Sequence, residues 1–232
     1  MTKKAKIITT IISVALAISV AFLCFYYYYL LPQQRRAEQQ RVFKEYYNAK
    51  INLFENENKT LSDVDVAFIG DSLTDGYDLN TYYPQYKTTN RGIAGDTTFG
   101  VQKRLKVSLY DANPKVVVML IGGNNLGTML ENYEDILSSI KTNLPLTHIV
   151  VLSLTAMGGS FASKNELAQQ NNAQIQTLAT QYGCNYIDIF TPLYNPEMGE
   201  IYAEYTTDSV HLTAKGYQVL TNAITPVLQT LI

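Results

Sequence analysis

The chain has 232 residues, 47% of them hydrophobic and 16% charged, with a formal net charge of −2 at pH 7. That length and apolar content leave room for one domain with a sizeable core plus an appendage, and the absence of a dense Lys/Arg block beyond the N-terminal region excludes the basic face a nucleic-acid partner requires. The two cysteines, Cys24 and Cys184, lie too far apart in sequence to suggest a disulfide framework or a Cys/His metal cluster.

The appendage comes first. Residues 1–6 form a short basic tail with Lys3, Lys4 and Lys6, and residues 7–31 follow without a charge. At about 1.5 Å per residue that run spans roughly 35 Å or slightly more, enough to cross a hydrocarbon core of about 30 Å. A cleavable signal has an apolar region of about 7 to 15 residues and then a small-x-small site. Here Ala15, Ala17, Ser19 and Ala21 are followed by more apolar sequence, so the segment is expected to stay as one uncleaved transmembrane helix. Leu23 stands where a lipoprotein signal places a small residue, which argues against lipid attachment at Cys24, and Tyr26 to Tyr29 fit an aromatic belt. Arg35, Arg36, Arg41 and Lys44 balance the lysines before the span, so the positive-inside rule leaves orientation open. The short tail leaves nothing else to translocate, which favours a single-pass protein with its folded domain outside the cytoplasm.

Pro32 is expected to end the span. Residues 32–62 then form a neck and linker: a polar helix over 33–52 with Val42, Phe43, Tyr46, Tyr47, Ile51 and Phe54 at roughly helical spacing, and an acidic, amide-rich loop over 55–62. A domain of residues 63–232 follows. Short runs of branched apolar residues at 64–69, 115–121, 148–154 and 185–190 read as strands, with a weaker one at 86–90. Longer amphipathic stretches at 97–109, 132–142, 164–182 and 213–231 read as helices. This alternation implies a parallel sheet buried on both faces.

In such sheets ligands sit at the carboxyl ends of the strands, and four loops there carry polar residues. They are GDSLTDG from Gly70, GIAGDTT from Gly92, GGNN from Gly122 and DSVH from Asp208. A serine hydroxyl is a weak nucleophile until an oriented base takes its proton. Ser72 would be that nucleophile and His211 the base, with Asp208 three residues earlier folding back to accept the imidazole N–H. His148, the other histidine, has no such company and reads as structural. Acyl transfer also needs donors for a developing oxyanion, each typically worth about 3 to 4 kcal/mol; the Ser72 and Gly95 backbone N–H groups and the Asn124 amide are the candidates. Taken singly, each residue has an ordinary explanation as a helix cap, a turn glycine or a loop amide.

Taken together, the four blocks resemble the SGNH (GDSL) hydrolase family over the chain from about Val64 onward. The resemblance implies a three-layer α/β/α sandwich with a five-stranded parallel sheet of flavodoxin-like order. It makes Ser72 the nucleophile, His211 the base and then the acid, Asp208 its orienter, and Ser72, Gly95 and Asn124 the oxyanion hole, with no metal or organic cofactor. Many members carry Gly-x-Asn-Asp in the third block, where this chain has Asn125. That form, with Arg104-Leu105 after GIAGDTT and HLTAKGY from His211, looks most like the branch containing the catalytic subunits of intracellular platelet-activating-factor acetylhydrolase, which favours short acyl groups. A membrane anchor departs from that cytosolic enzyme, so its substrate is not carried over. The expectation is a membrane-anchored serine esterase for short acyl or O-acetyl esters on cell-envelope glycans. A lysophospholipase or other lipid esterase, an acyltransferase to a glycan, and a non-catalytic binding module on the same fold are the alternatives.

Overall fold

A computed structural model describes residues 2–232. The chain divides into two compact units, one ending at Ala49 and the other running from Lys50 to Ile232. The first holds α1 (Lys3–Phe25), a π-helical turn (Tyr26–Leu30) and most of α2 (Leu31–Asn58). No residue of α1 is buried. Three of its four hydroxyls are nonetheless satisfied, since Thr9, Thr10 and Ser19 each donate to the carbonyl four residues back, an arrangement that suits an apolar solvent.

Contrary to expectation, Pro32 does not stop the helix. The Leu31 N–H bonds to the Tyr26 carbonyl, one residue further back than in an α-helix, and this wider turn shifts the register in which a proline ring would press on the carbonyl four residues earlier. The helix also continues through Asn58, over the first half of the segment read as a loop. Its last turns have partners within the Lys50–Ile232 unit: Phe54 is fully buried, Asn58 donates to the Val107 carbonyl at 2.7 Å, and Glu57 pairs with Arg91.

The second unit begins with β1 (Val66–Gly70), α3 (Ser72–Asp75), α4 (Leu79–Tyr82), β2 (Thr88–Gly92), α5 (Thr98–Lys103) and β3 (Val116–Leu120). It continues with α6 (Tyr133–Asn143), β4 (His148–Leu152), α7 (Asn165–Gln181), β5 (Asn185–Ile187), α8 (Phe190–Leu193), the hairpin β6 (Tyr194–Asn195) and β7 (Glu200–Ile201), and α9 (Ala214–Leu231). The first five strands pair in parallel in the order β2-β1-β3-β4-β5, the expected flavodoxin-like order. Every residue of β1 and β3 is buried, which is why both read as continuous apolar runs rather than alternating ones. The order reverses between β1 and β3, so the crevice beyond their carboxyl ends is the position where such sheets take ligands.

Two local expectations give way to side-chain chemistry. The helix expected over 97–109 breaks at Arg104, whose buried guanidinium is held by Asp96, the Arg91 and Gly70 carbonyls and Ser108 at 2.7 to 2.9 Å; a separate π turn follows at Lys106–Tyr110. The strand expected over 185–190 stops at Ile187, because the Asp188 carboxylate accepts the Phe190 and Thr191 N–H groups at 2.8 and 3.1 Å and starts a helical turn instead. The β6–β7 hairpin was not anticipated, its two-residue strands being too short to carry a periodic pattern.

Candidate active site

Ser72 opens α3 directly beyond β1, with Asp71 as its N-cap: the Asp71 carboxylate accepts the Leu73 N–H at 3.1 Å. This four-residue helix is too short to hold itself, and neighbours satisfy its carbonyls. The Asn90 amide donates to the Thr74 and Tyr77 carbonyls at 2.7 and 3.1 Å, and the Tyr217 hydroxyl donates to the Leu73 carbonyl at 3.0 Å. Burial pushes Tyr217 up to about 12, so it stays a donor throughout the physiological range. Gly92 lets β2 approach closely, since a Cβ there would lie 2.1 Å from the Asp75 nitrogen. The serine is therefore fixed by contacts from β2 and α9, outside its own motif.

His211 reaches Ser72 from the loop before α9. The Ser72 hydroxyl lies 2.9 Å from His211 Nε2, and the other ring nitrogen, Nδ1, lies 2.6 Å from Asp208 Oδ2. Because the carboxylate accepts the Nδ1–H, Nε2 is the bare nitrogen that accepts from the serine. The other Asp208 oxygen accepts the His211 and Val210 N–H groups at 2.8 and 3.1 Å. Those bonds, the imidazole's first and the backbone's next, hold the Asp208 carboxyl down at about 2. Between the two residues Ser209 has φ 79°, an uncommon conformation for a side-chain-bearing residue, and its carbonyl accepts the Gly158 N–H at 2.8 Å. The loop is pinned in the shape that aims the ring.

The expected oxyanion donors divide. Asn124 lies on a 3₁₀ turn (Gly123–Asn125) and, like Ser72, lines the cavity at the site. Its amide donates to the Asp96 carbonyl at 2.9 Å, which ties it to the loop carrying Gly95. Gly95 takes φ 80°, a left-handed conformation suited to glycine, and it is not among the residues lining the cavity. Asn125, the departure in the third block, braces this loop: its amide donates to Thr98 Oγ1 at 3.0 Å while its oxygen accepts the Thr98 N–H at 3.3 Å. An ionised aspartate could make the first of these contacts only by accepting the Thr98 hydroxyl proton, the reverse direction. His148 is exposed at the start of β4, away from the cavity.

The cavity has a volume of about 310 Å³. The Ser72, Asp208 and His211 side chains share it with Leu73, Leu120, Leu154, Met157, Phe161 and Val210, and with one cation, Lys164. Sequence reasoning missed the supporting Asn90 and Tyr217 and the wall from Met157 to Lys164; the only signal for that wall was the Gly158-Gly159 pair after β4. Among the described residues no group of three or more His, Cys, Asp or Glu side chains is placed to hold a metal ion.

Residues 68–219 match the model of the GDSL-like lipase/acylhydrolase family. A chicken (Gallus gallus) protein, platelet-activating factor acetylhydrolase IB subunit alpha2, is 34% identical over 123 residues, covering 49% of this chain and 52% of that one. The chain thus spans about half the length of the curated relatives it matches. A solved structure from Streptococcus pneumonia, described under the name platelet activating factor, superposes with a TM-score of 0.78 at 26% identity, covering 84% of this chain and 99% of that one. An acetyl xylan esterase from Geobacillus stearothermophilus superposes with a TM-score of 0.60 at 21% identity over 74% and 97% of the two chains, a likeness of fold.

Proposed function

Since the chain belongs to the GDSL-like lipase/acylhydrolase family and is an SGNH-type hydrolase, we propose that it is a serine esterase tethered to a membrane by its N-terminal helix, acting on short acyl or O-acetyl esters outside the cytoplasm. The observation that carries the catalytic part is the unbroken line from Ser72 Oγ to His211 Nε2 at 2.9 Å and from His211 Nδ1 to Asp208 at 2.6 Å, opening on a cavity. The names of the similar proteins, an acetylhydrolase subunit and an acetyl xylan esterase, support a short acyl group. An O-acetylated cell-envelope glycan is a substrate that a tethered extracytoplasmic enzyme could reach.

In this mechanism Ser72 Oγ attacks the ester carbonyl carbon as its proton passes to His211 Nε2, and Asp208 stabilises the imidazolium so formed. The carbonyl oxygen becomes an oxyanion, received at the cavity by the Ser72 N–H and the Asn124 amide; Gly95, on the loop that Asn124 binds, is the third donor the family resemblance implies. Collapse breaks the bond to the alcohol, which leaves with the proton from Nε2, and the acyl group stays on Ser72. Water then attacks the acyl carbon and gives its proton to Nε2. The second collapse returns that proton to Ser72 Oγ and releases the carboxylic acid. In the Ser72→Ala protein, hydrolysis of para-nitrophenyl acetate should fall by roughly a thousandfold or more, and fluorophosphonate labelling should vanish in both Ser72→Ala and His211→Ala. Unchanged hydrolysis in the Ser72→Ala protein would sink the assignment. A folded wild-type chain that takes no label would instead favour a binding module.

A further inference from the structure

The cavity beside Ser72 holds a charge that the hydrolytic steps leave unused. Three ionisable side chains besides His211 line it: Asp71, Asp208 and Lys164. Asp208 is committed to the imidazole and to two backbone N–H groups. Asp71 is buried under the serine turn and accepts the Leu73 N–H. Lys164 differs, because it forms an ion pair with none of the described carboxylates; Lys59, Lys87, Lys103 and Lys141 of the same unit are likewise without one, and of these five lysines Lys164 is the one that lines the cavity.

Lys164 is nevertheless held in place. Its ammonium lies 5.1 Å from the centroid of the Phe161 ring, another wall of the cavity, so the cation is drawn to that aromatic face. The short 3₁₀ turn carrying both residues (Gly159–Lys164) is fixed at each end. The Gly159 N–H donates to Glu200 at 2.8 Å, and the next residue, Asn165, bonds both the N–H and the carbonyl of Met157 at 2.9 and 2.8 Å. Size adds a second constraint. At about 310 Å³ the cavity reaches the lower end of the range that takes whole small ligands, far more than an acetyl group fills. Part of a substrate beyond the acyl carbon can therefore lie in a mostly apolar space edged by this exposed, unpaired cation, whose attraction for an opposite charge is screened by solvent as at other surface sites.

We propose that Lys164 selects for esters that carry an anionic group, a carboxylate, phosphate or sulfate, near the scissile bond. The proposal rests on the esterase reading and names the substrate class at that same cavity.

Matched esters test it, with the full chain in detergent and kcat/KM as the readout. Phenyl acetate against para-acetoxybenzoate places the charge on the alcohol side, and para-nitrophenyl butyrate against para-nitrophenyl hydrogen succinate places it on the acyl side. Intrinsic reactivity cancels, because each anionic-to-neutral ratio is compared between proteins. In K164M the ratio should fall about three- to tenfold for one of the pairs, in K164E further, and in K164R it should stay near the wild-type value. The pair that responds identifies the side on which the charge lies, and its wild-type preference should weaken as salt is raised. Ratios in K164M and K164E equal to the wild-type ones in both pairs overturn the proposal. Loss of neutral-ester hydrolysis in Ser72→Ala keeps the esterase reading standing in that case, whereas its persistence brings down the esterase reading itself.

Discussion

Asp71 is almost fully buried one residue before the proposed nucleophile, and that burial pushes its carboxyl up to about 6. The consequence for stability has a definite sign. Its ordinary value is 3.8, so between about 4 and 6 the folded protein binds more protons at this site than the unfolded chain does. The stabilisation is fully present below the unfolded value and is lost as pH rises through 6. The loss amounts to about 3 kcal/mol, at about 1.4 kcal/mol for each pH unit between the unfolded and folded values. Asp208 works the other way, its contribution being present above its ordinary value of 3.8 and lost as pH falls through about 2, so the two windows barely overlap. Asp71→Asn should therefore flatten the decline in melting temperature between pH 4 and 6 that the wild type shows, as read by calorimetry in detergent. An unaltered slope in that variant would place the titrating group elsewhere.

The last turns of α2 are part of the folded domain by the measure of what they cover. Arg91, on the edge strand β2, is fully buried with the Phe54 ring 4.7 Å from its guanidinium, and it pairs with Glu57 and with Asn58 at 2.8 Å. Lys50 pairs with Asp75, the last residue of the helix that Ser72 opens, at 2.6 Å. Removing a buried phenylalanine costs about 3 to 5 kcal/mol, and leaving a buried guanidinium unpaired costs a similar amount. The sum is comparable with the whole stability of an ordinary domain, about 5 to 15 kcal/mol. A chain beginning at Arg41 should fold and hydrolyse para-nitrophenyl acetate, whereas one beginning at Asp63 should be recovered aggregated or with a strongly lowered melting temperature; equal stability of the two would refute this. The sequence shows part of this, because Phe54 closes the apolar stripe of the neck helix, but Arg91 looks like an ordinary edge charge and nothing marks it as the partner of Glu57 and Asn58. The strands were legible because burial on both faces leaves an unbroken apolar run. Ser72, Asp208 and His211 were legible because each sits in a local motif set by backbone geometry. Asn90, Tyr217 and Lys164 act at long sequence separation as single polar residues, and no pattern marks them.

In the chain as a whole, the two compact units call for different solvents. The domain from Lys50 onward hides its apolar side chains in a sheet-and-helix core, while α1 has none buried and leaves Ile7, Ile8, Ile11, Ile12, Leu16 and Ile18 more than half exposed. Burying one such side chain is worth about 1.5 to 3 kcal/mol, so the exposed face represents an unfavourable contact with water at least comparable with the stability of a typical domain. Among the described residues of the first unit nothing covers it. The helical run from Lys3 is long and apolar enough to cross a bilayer by length and composition, and the Thr9, Thr10 and Ser19 hydroxyls are already bonded to its own carbonyls. A bilayer would resolve the imbalance with few unsatisfied polar groups. We expect the native protein to sediment with membranes, to resist extraction by alkaline carbonate and to need detergent for release, with its N-terminal lysines retained on N-terminal sequencing. On intact cells stripped of any outer wall, added protease should remove esterase activity toward para-nitrophenyl acetate, as an extracytoplasmic domain requires. Carbonate release, or a mature N-terminus beyond Phe25, would mean that the helix is a cleaved leader. The lipid-facing reading of α1 would then give way to that of a secreted enzyme, with the site at Ser72 unchanged.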